Sequence, residues 1–332
     1  MDSLTQIVLG ASVGEAVLGK KIGNRAPLYG AIAGTIPDLD VLTGYFLDPV
    51  SAIEVHRGFS HSIIFCVLFA PVFGYLLSFF EAKASWKELS WLMFWGLFTH
   101  PLLDAFTTWG TQLFWPLDIN LAFKSVFVID PLYTLPFLFC LVVAMRKPKS
   151  SSSRRKWNYW GLGISSAYLV VGLLLKFVSY QAFEKALEEQ EITYEEIQNR
   201  PAPFTTLLWS ANVKTKDGFY LGDYSFFDTH PISFRFFPKN EDLAENVNDE
   251  NDVQRLKKIS EGWYTFSENE EGDLLFNDLR FGLLSFSPDE NRFVFNYKLF
   301  YEGDDFLVED FRKTPDDGKE LIIQLFQRIQ GN

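Results

Sequence analysis

Four stretches in the first half of the chain are about as long and as apolar as a helix crossing a bilayer core needs to be, roughly 20 residues. They are residues 62–80 (SIIFCVLFAPVFGYLLSFF), 88–108, 126–145 (VFVIDPLYTLPFLFCLVVAM) and 159–178 (YWGLGISSAYLVVGLLLKFV). The second of them carries His100 and Asp104 inside the apolar run. Two shorter segments precede these, about 4–19 and 27–43, rich in the Gly and Ala that let membrane helices pack closely. They read equally as re-entrant or interfacial pieces. The pattern predicts a multi-helix transmembrane α-helical domain over residues 1–180.

From about residue 180 the pattern changes. A charged helix and a Pro-rich break (FEKALEEQEITYEEIQNRPAP) lead into strand-like runs: TTLLWSANVKT, FYLGDYSFFD, ISFRFF, GWYTFS, LLFNDLRFGLLSFS and RFVFNYKLF, with turn signals such as KDG between them. A polar helical stretch falls at about 241–260, and TPDDGKELIIQLFQRIQ reads as a closing helix. Residues 181–332 are therefore expected to form a soluble α+β domain with a mainly antiparallel sheet.

Charge adds an orientation. Residues 1–180 hold 14 Lys and Arg against 11 Asp and Glu, whereas residues 181–332 hold 16 against 31. The loop RKPKSSSSRRKW (146–157) has six basic residues and no acid, so the positive-inside rule makes it cytoplasmic and the acidic domain extracytoplasmic. Counting spans backward from that loop brings Asp38, Asp40, His56, Arg57, His61, His100, Asp104 and Asp130 to one outer face. An acidic chain of this kind argues against nucleic acid, whose affinity comes largely from phosphate neutralisation. The N-terminus lacks the basic start of a secretion signal. Cys66 and Cys140 lie in apolar runs and read as small buried hydrophobes.

Ionisable residues within membrane segments are costly and usually functional. His100 and Asp104 are one helical turn apart and share a face. His56 and His61 bracket a glycine in HRGFSH, enough for a turn that points both inward. A His/Asp donor set suits zinc best, with manganese or iron also compatible. Each residue alone has a plainer reading: a membrane histidine bonded to a neighbouring helix, or an aspartate facing headgroup water. Arg57 either snorkels to the interface or grips an anion. Trp109, Phe114 and Trp115 read as an interfacial aromatic belt. His230 reads as a turn residue of the second domain.

The series AGTIPDLD, HRGFSHS, THPLLDAFTTWGTQLFWP and FVIDPLYTLP resembles the YdjM family of membrane-bound, predicted metal-dependent hydrolases of the bacterial inner membrane. That family is similar in motif order to zinc-dependent phospholipase C and P1-type nucleases. The resemblance covers roughly the first 180 residues and extends to PAPFTTLLWSANV in longer members. It implies that Asp38, His56, His61, His100 and Asp104 ligate a divalent metal, with Asp40 a ligand or a group behind one. Many relatives carry a histidine where this chain has Gln6, so a site of one or two metals is expected in place of a larger cluster.

The implied activity is hydrolysis of a phosphoester or lipid-linked substrate at the outer membrane face. Arg57 would stabilise the developing charge, and Asp40 or Asp130 would orient water. The alternative is a non-enzymatic membrane protein with a structural metal site and an outer domain that binds a protein partner. A transporter fits less well, because the polar residues gather at one face.

Overall fold

The computed structural model describes residues 1–287, 290–311 and 318–332. The chain forms two compact units. The first comprises Met1–Phe46, Val55–Leu174 and Pro203–Thr205, and the second Leu47–Glu54, Leu175–Ala202 and Thr206–Asn332.

In the first unit, Asp2 caps helix α1 (Ser3–Ile22) by accepting the Thr5 N–H at 3.1 Å. The helix stops at Gly23, whose φ of 63° suits glycine. Helix α2 (Arg25–Thr35) returns against it so closely that a methyl group at Gly30 would overlap the Gly10 carbonyl. The small residues of the two segments thus serve backbone-to-backbone packing. Helix α2 ends where Pro37 opens a 3-10 helix, Pro37–Tyr45. After α3 (Pro49–Val55), which lies in the second unit up to Glu54, a second 3-10 turn (Phe59–His61) leads into α4 (Ile63–Ser78). Helix α5 (Trp86–Asp104) starts with a reciprocal capping box between Ser85 and Glu88. Helix α6 (Pro131–Met145) is capped by Asp130. Cys66 and Cys140 are buried and free.

Glu15, which interrupts the apolar run of α1, has a buried partner. Arg154 donates from Nε and Nη2 to its two carboxylate oxygens at 2.6 and 2.5 Å. Arg154 comes from the loop expected to be basic and cytoplasmic, and both side chains are only 2% exposed.

The multi-helix transmembrane domain needs correction. Among the described residues one helix, α7 (Ser152–Glu189, 38 residues), is long and apolar enough to cross a membrane. The stretch at 62–80 becomes the 16-residue α4, bent by 62° from the segment before it, and counts as a second span only if that bent pair is one. The stretch at 126–145 yields a 15-residue helix, because the Asp130–Pro131 cap delays its start. Helix α5 has the length, but its charged first turn and its His100 and Asp104 lower its apolarity. Helix α2 is only 11 residues long, and α1 is diluted by small and polar residues. A run of apolar letters does not reveal where caps and prolines will cut the helix. The count of alternating spans that gave an outer face falls with this correction.

In the second unit the strands β1 (Glu196–Pro201), β2 (Leu208–Lys214), β3 (Gly218–Ser225) and β4 (Phe234–Pro238) form one antiparallel meander. Strands β5 (Tyr264–Glu268), β6 (Leu274–Leu283), β7 (Phe293–Glu302) and β8 (Asp305–Asp310) form another. Trp209, Ala211 and Val213 alternate along β2 onto Phe183 and Leu187 of α7. The charged helix expected after residue 180 is the end of α7, and β1 occupies part of the expected Pro-rich break. The polar helical stretch is a 3-10 turn (Glu241–Ala244) and α8 (Asn251–Ile259). The closing helix is α9 (Gly318–Ile329), with residues 314–317 of that expectation outside the described ones.

Gly30→Val should destabilise the protein by about 1–3 kcal/mol, as overpacking a tight contact does. Gly163, in α7, has open space where a Cβ would go. Gly163→Ala should therefore leave thermal unfolding in detergent unchanged or slightly raised. Equal melting temperatures for both variants would show that the α1–α2 approach is not tight.

Candidate metal centre

Pro37 turns the chain into a 3-10 helix with Asp38 and Asp40 in its first turn. Two residues apart on a three-residue turn, their carboxylates leave on different sides. Asp38 Oδ1 lies 3.2 Å from His100 Nε2 and 3.4 Å from His61 Nε2. Asp40 instead reaches the far side of His61, with Oδ2 at 3.3 Å from Nδ1. His100 and Asp104 project from one face of α5, with His100 Nε2 and Asp104 Oδ2 3.5 Å apart. His61 Nε2 is 3.5 Å from the same Asp104 oxygen and 3.2 Å from His100 Nε2. Asp38, His61, His100 and Asp104 thus offer one donor atom each, all within 4.8 Å of one another, and could hold a metal ion.

The outer partners decide which ring nitrogens face inward. His100 Nδ1 is 2.6 Å from the Gly34 carbonyl, which only accepts, so this nitrogen carries the proton. Ser60 Oγ donates to Asp40 Oδ2 at 2.8 Å, which leaves it free to accept from His61 Nδ1 at 2.9 Å. Both Nδ1 atoms therefore donate, and both Nε2 lone pairs meet at the centre. Asp104 Oδ2 is buried there with no hydrogen-bond donor among the described residues. Facing lone pairs and an orphaned carboxylate oxygen fit a cation, and the carbonyl and carboxylate behind the rings are the usual supports of metal-binding histidines.

Asp104 is held from behind as well. Gln6 Nε2 donates to its Oδ1 at 3.0 Å and to the His100 carbonyl at 3.3 Å, and the Met1 amino group contacts the same Oδ1. Gln6 thus stands behind a candidate ligand. Arg57 Nε lies 3.4 Å from Asp104 Oδ2, while its Nη1 donates to Thr107 Oγ1 and the Gly110 carbonyl at 3.1 and 3.2 Å. The Arg57 backbone is left-handed, with φ of 62°, and is pinned by its N–H to Asp40 Oδ2 at 2.9 Å. Such strain in a non-glycine residue persists only where the surroundings fix it.

His56 sits outside the four-donor cluster. Its Nδ1 is 2.9 Å from Asp40 Oδ1, and its side chain is 31% exposed, against 0% for His61 and His100. Asp130 accepts from the Leu132 and Tyr133 N–H groups and from Tyr168 Oη at 2.8 Å, as the cap of α6. His230 is exposed and contacts Asn332 in the second unit.

Burial opposes charge throughout the centre, yet partners outweigh it. The Met1 amino group, Arg57 and the two histidines hold the Asp104 carboxyl well below the usual carboxylate range against desolvation. The neighbouring His100 and His61 rings hold Asp38 low, and hydrogen bonds from His56 and His61 hold Asp40 low, again against desolvation. Burial would push His61 down, but Asp104, Asp38 and Asp40 raise it to about 10. At Asp130 burial dominates and raises the carboxyl. The cluster therefore draws positive charge, as a proton on His61 or as a cation. Sequence reasoning missed Ser60, Thr107, Gln6's contact with Asp104 and the Gly34 carbonyl. Ser60 and Gly34 lie inside the quoted motifs, but a backbone carbonyl leaves no mark on a sequence.

The class defined by these features is a helical unit with a buried His/Asp cluster that could hold a metal ion, joined to a two-sheet antiparallel domain. Residues 1–178 match the YdjM inner membrane protein family, and the chain belongs to that family. A Bacillus subtilis (strain 168) protein named "Uncharacterized protein YfhP" is 24% identical over 241 residues, covering 67% of this chain and 68% of its own. No solved structure matches the chain.

Zinc retention measured by equilibrium dialysis should be lost in His61→Ala and His100→Ala and kept in His56→Ala and His230→Ala. Asp40→Asn should weaken it about 10- to 100-fold, the usual effect of removing a group behind a ligand. Because a cation must displace the His61 proton below about pH 10, affinity should fall about tenfold per unit of acidification if one proton is displaced. Affinity that is flat in pH, or equal in all variants, would overturn the cluster as a metal site.

Proposed function

We propose that the protein is a membrane-bound, metal-dependent hydrolase acting on a phosphoester, with a lipid or lipid-linked molecule as its substrate. The observation that carries this is the spacing of the donors. Five of their separations fall between 3.2 and 3.5 Å. A tetrahedral zinc with ligand bonds of about 2.0–2.1 Å has ligand–ligand edges of about 3.3–3.4 Å. Asp38, His61, His100 and Asp104 would hold the ion, with zinc favoured over manganese or iron for two imidazoles and two carboxylates. A bound divalent cation supplies a Lewis acid and lowers the pKa of water toward neutrality.

The chain's own residues supply the rest. Arg57 fixes the Asp104 carboxylate and places positive charge where the phosphoryl oxygens gain charge. Asp38 is the partly open corner of the cluster, with 24% of its side chain exposed, and gives substrate a way in. Leu39, Val41, Leu42, Tyr45 and Phe46 on the same segment are all exposed, which suits an acyl chain or the membrane interface. The basic start of α7 favours the cytoplasmic side and sets the second unit, which would bind any protein partner, outside the membrane.

One observation favours the structural-metal reading: four protein donors can close a tetrahedral site, whereas catalytic zinc keeps a position for water. The two separate in one experiment. Purified protein with zinc or manganese should hydrolyse bis(4-nitrophenyl) phosphate or phospholipid in mixed micelles. Arg57→Ala should keep the metal and lose about 10²–10³ in turnover, as removal of an oxyanion donor does, with partial recovery in Arg57→Lys. Metal-loaded wild type that hydrolyses neither substrate would establish the structural reading.

A further inference from the structure

His56 resembles neither of the other two histidines of the first unit. His61 and His100 turn Nε2 into the cluster and are fully buried. His56 turns Nδ1 to Asp40 and keeps about a third of its side chain exposed. Asp40 has no proton to give, so Nδ1 donates and Nε2 faces away from the carboxylate. The other Asp40 oxygen receives the Arg57 N–H and the Ser60 hydroxyl at 2.9 and 2.8 Å. Three donors therefore fix the carboxylate, and the carboxylate fixes the ring. The ring lies 6.1 Å, centroid to centroid, from both His61 and Trp109. A partly exposed imidazole is thus held against the same carboxylate that backs His61.

We propose that His56 is the general acid that protonates the leaving group, with Asp40 as its positioning residue; the proposal rests on the hydrolytic reading. The need is chemical. A cation held by Asp38, His61, His100 and Asp104 would supply Lewis acidity on the attacking side, but an alcohol expelled from a phosphodiester leaves as a poor alkoxide unless a proton meets it. In the step, the water oxygen bonds to phosphorus and the phosphorus–oxygen bond to the leaving group breaks. The electron pair of that bond stays on the leaving oxygen, which takes the proton from His56 Nε2. The water gives its own proton to solvent, and His56 is reprotonated from there. One phosphodiester and one water become a phosphomonoester and an alcohol. The Asp40 carboxylate fixes the ring during the transfer.

The readout is leaving-group dependence in the full-length protein in detergent with zinc. The substrates are aryl phosphodiesters whose leaving phenols run from 4-nitrophenol to 4-methoxyphenol, and metal content is measured alongside. Wild type should depend weakly on the phenol. His56→Gln should keep its metal, lose a little on the nitrophenyl ester and lose about 10²–10⁴ on the methoxyphenyl ester, the usual worth of a general acid. Asp40→Asn should move the same ratio in the same direction by less. An active wild type with parallel losses on all esters, or none, in His56→Gln overturns the proposal alone. Loss of metal in His56→Gln would make His56 a ligand and also overturn it. A metal-loaded wild type inert on every ester would overturn the hydrolytic reading, and this proposal with it.

Discussion

Two imidazoles and two carboxylates whose donor atoms lie within 4.8 Å of one another pose a charge problem that the surrounding helices must solve. Taking a charge out of water costs several kcal/mol per ion even after relaxation. Asp104 is fully buried, and both neighbouring imidazoles are as well. With neutral rings, the two carboxylates carry negative charge that the Met1 amino group and Arg57 meet at Asp104. The remainder is matched by a divalent cation or by protons, and the high pKa of His61 is the same demand written as acid–base chemistry.

The small residues of α1, α2 and α5 make that cluster possible. The Gly34 carbonyl belongs to the last turn of α2, where helical carbonyls lack intrahelical partners. It can accept from His100 only if α2 and α5 run close together. One turn earlier, a methyl group at Gly96 would meet the Ala33 side chain at 2.5 Å. Glycine at 96 therefore sets the distance at which His100 Nδ1 finds its carbonyl, and so which nitrogen faces the metal. Packing between backbones becomes the choice of a tautomer.

How much of this could be read from the letters varies with the range of the interaction. The pairing of His100 with Asp104 is local, one turn of one helix, and was legible. The alternation of β2, β3, β6 and β7 was legible for the same reason. The strands β1 and β8 were not, because EIQNRP and DFLVED are polar edge strands with little alternation. The membrane spans were overcounted because Pro37, the Asp130–Pro131 cap and the bend before Ile63 cut apolar runs that look continuous. The spacing in HRGFSH brings both histidines near the centre. It cannot say which ring turns inward, since that depends on where Asp40 lands after Pro37.

That landing gives three histidines of one unit three different environments. His100 is backed by a neutral carbonyl, His61 by a hydroxyl and a carboxylate, and His56 by the carboxylate alone. A partner behind an imidazole fixes its tautomer and the direction its other nitrogen faces. Asp40 touches both His56 and His61, so its charge is shared between a candidate ligand and a candidate acid. Its position is itself fixed by the Arg57 N–H, offered from a left-handed backbone conformation that costs about 1–3 kcal/mol for a non-glycine residue. The same residue sends its guanidinium to Asp104 on the opposite side of the cluster. Arg57 thus ties the two acidic supports of the centre together through one strained turn. A glycine there would relieve the strain but remove the guanidinium, so the strained arginine serves both ends at once.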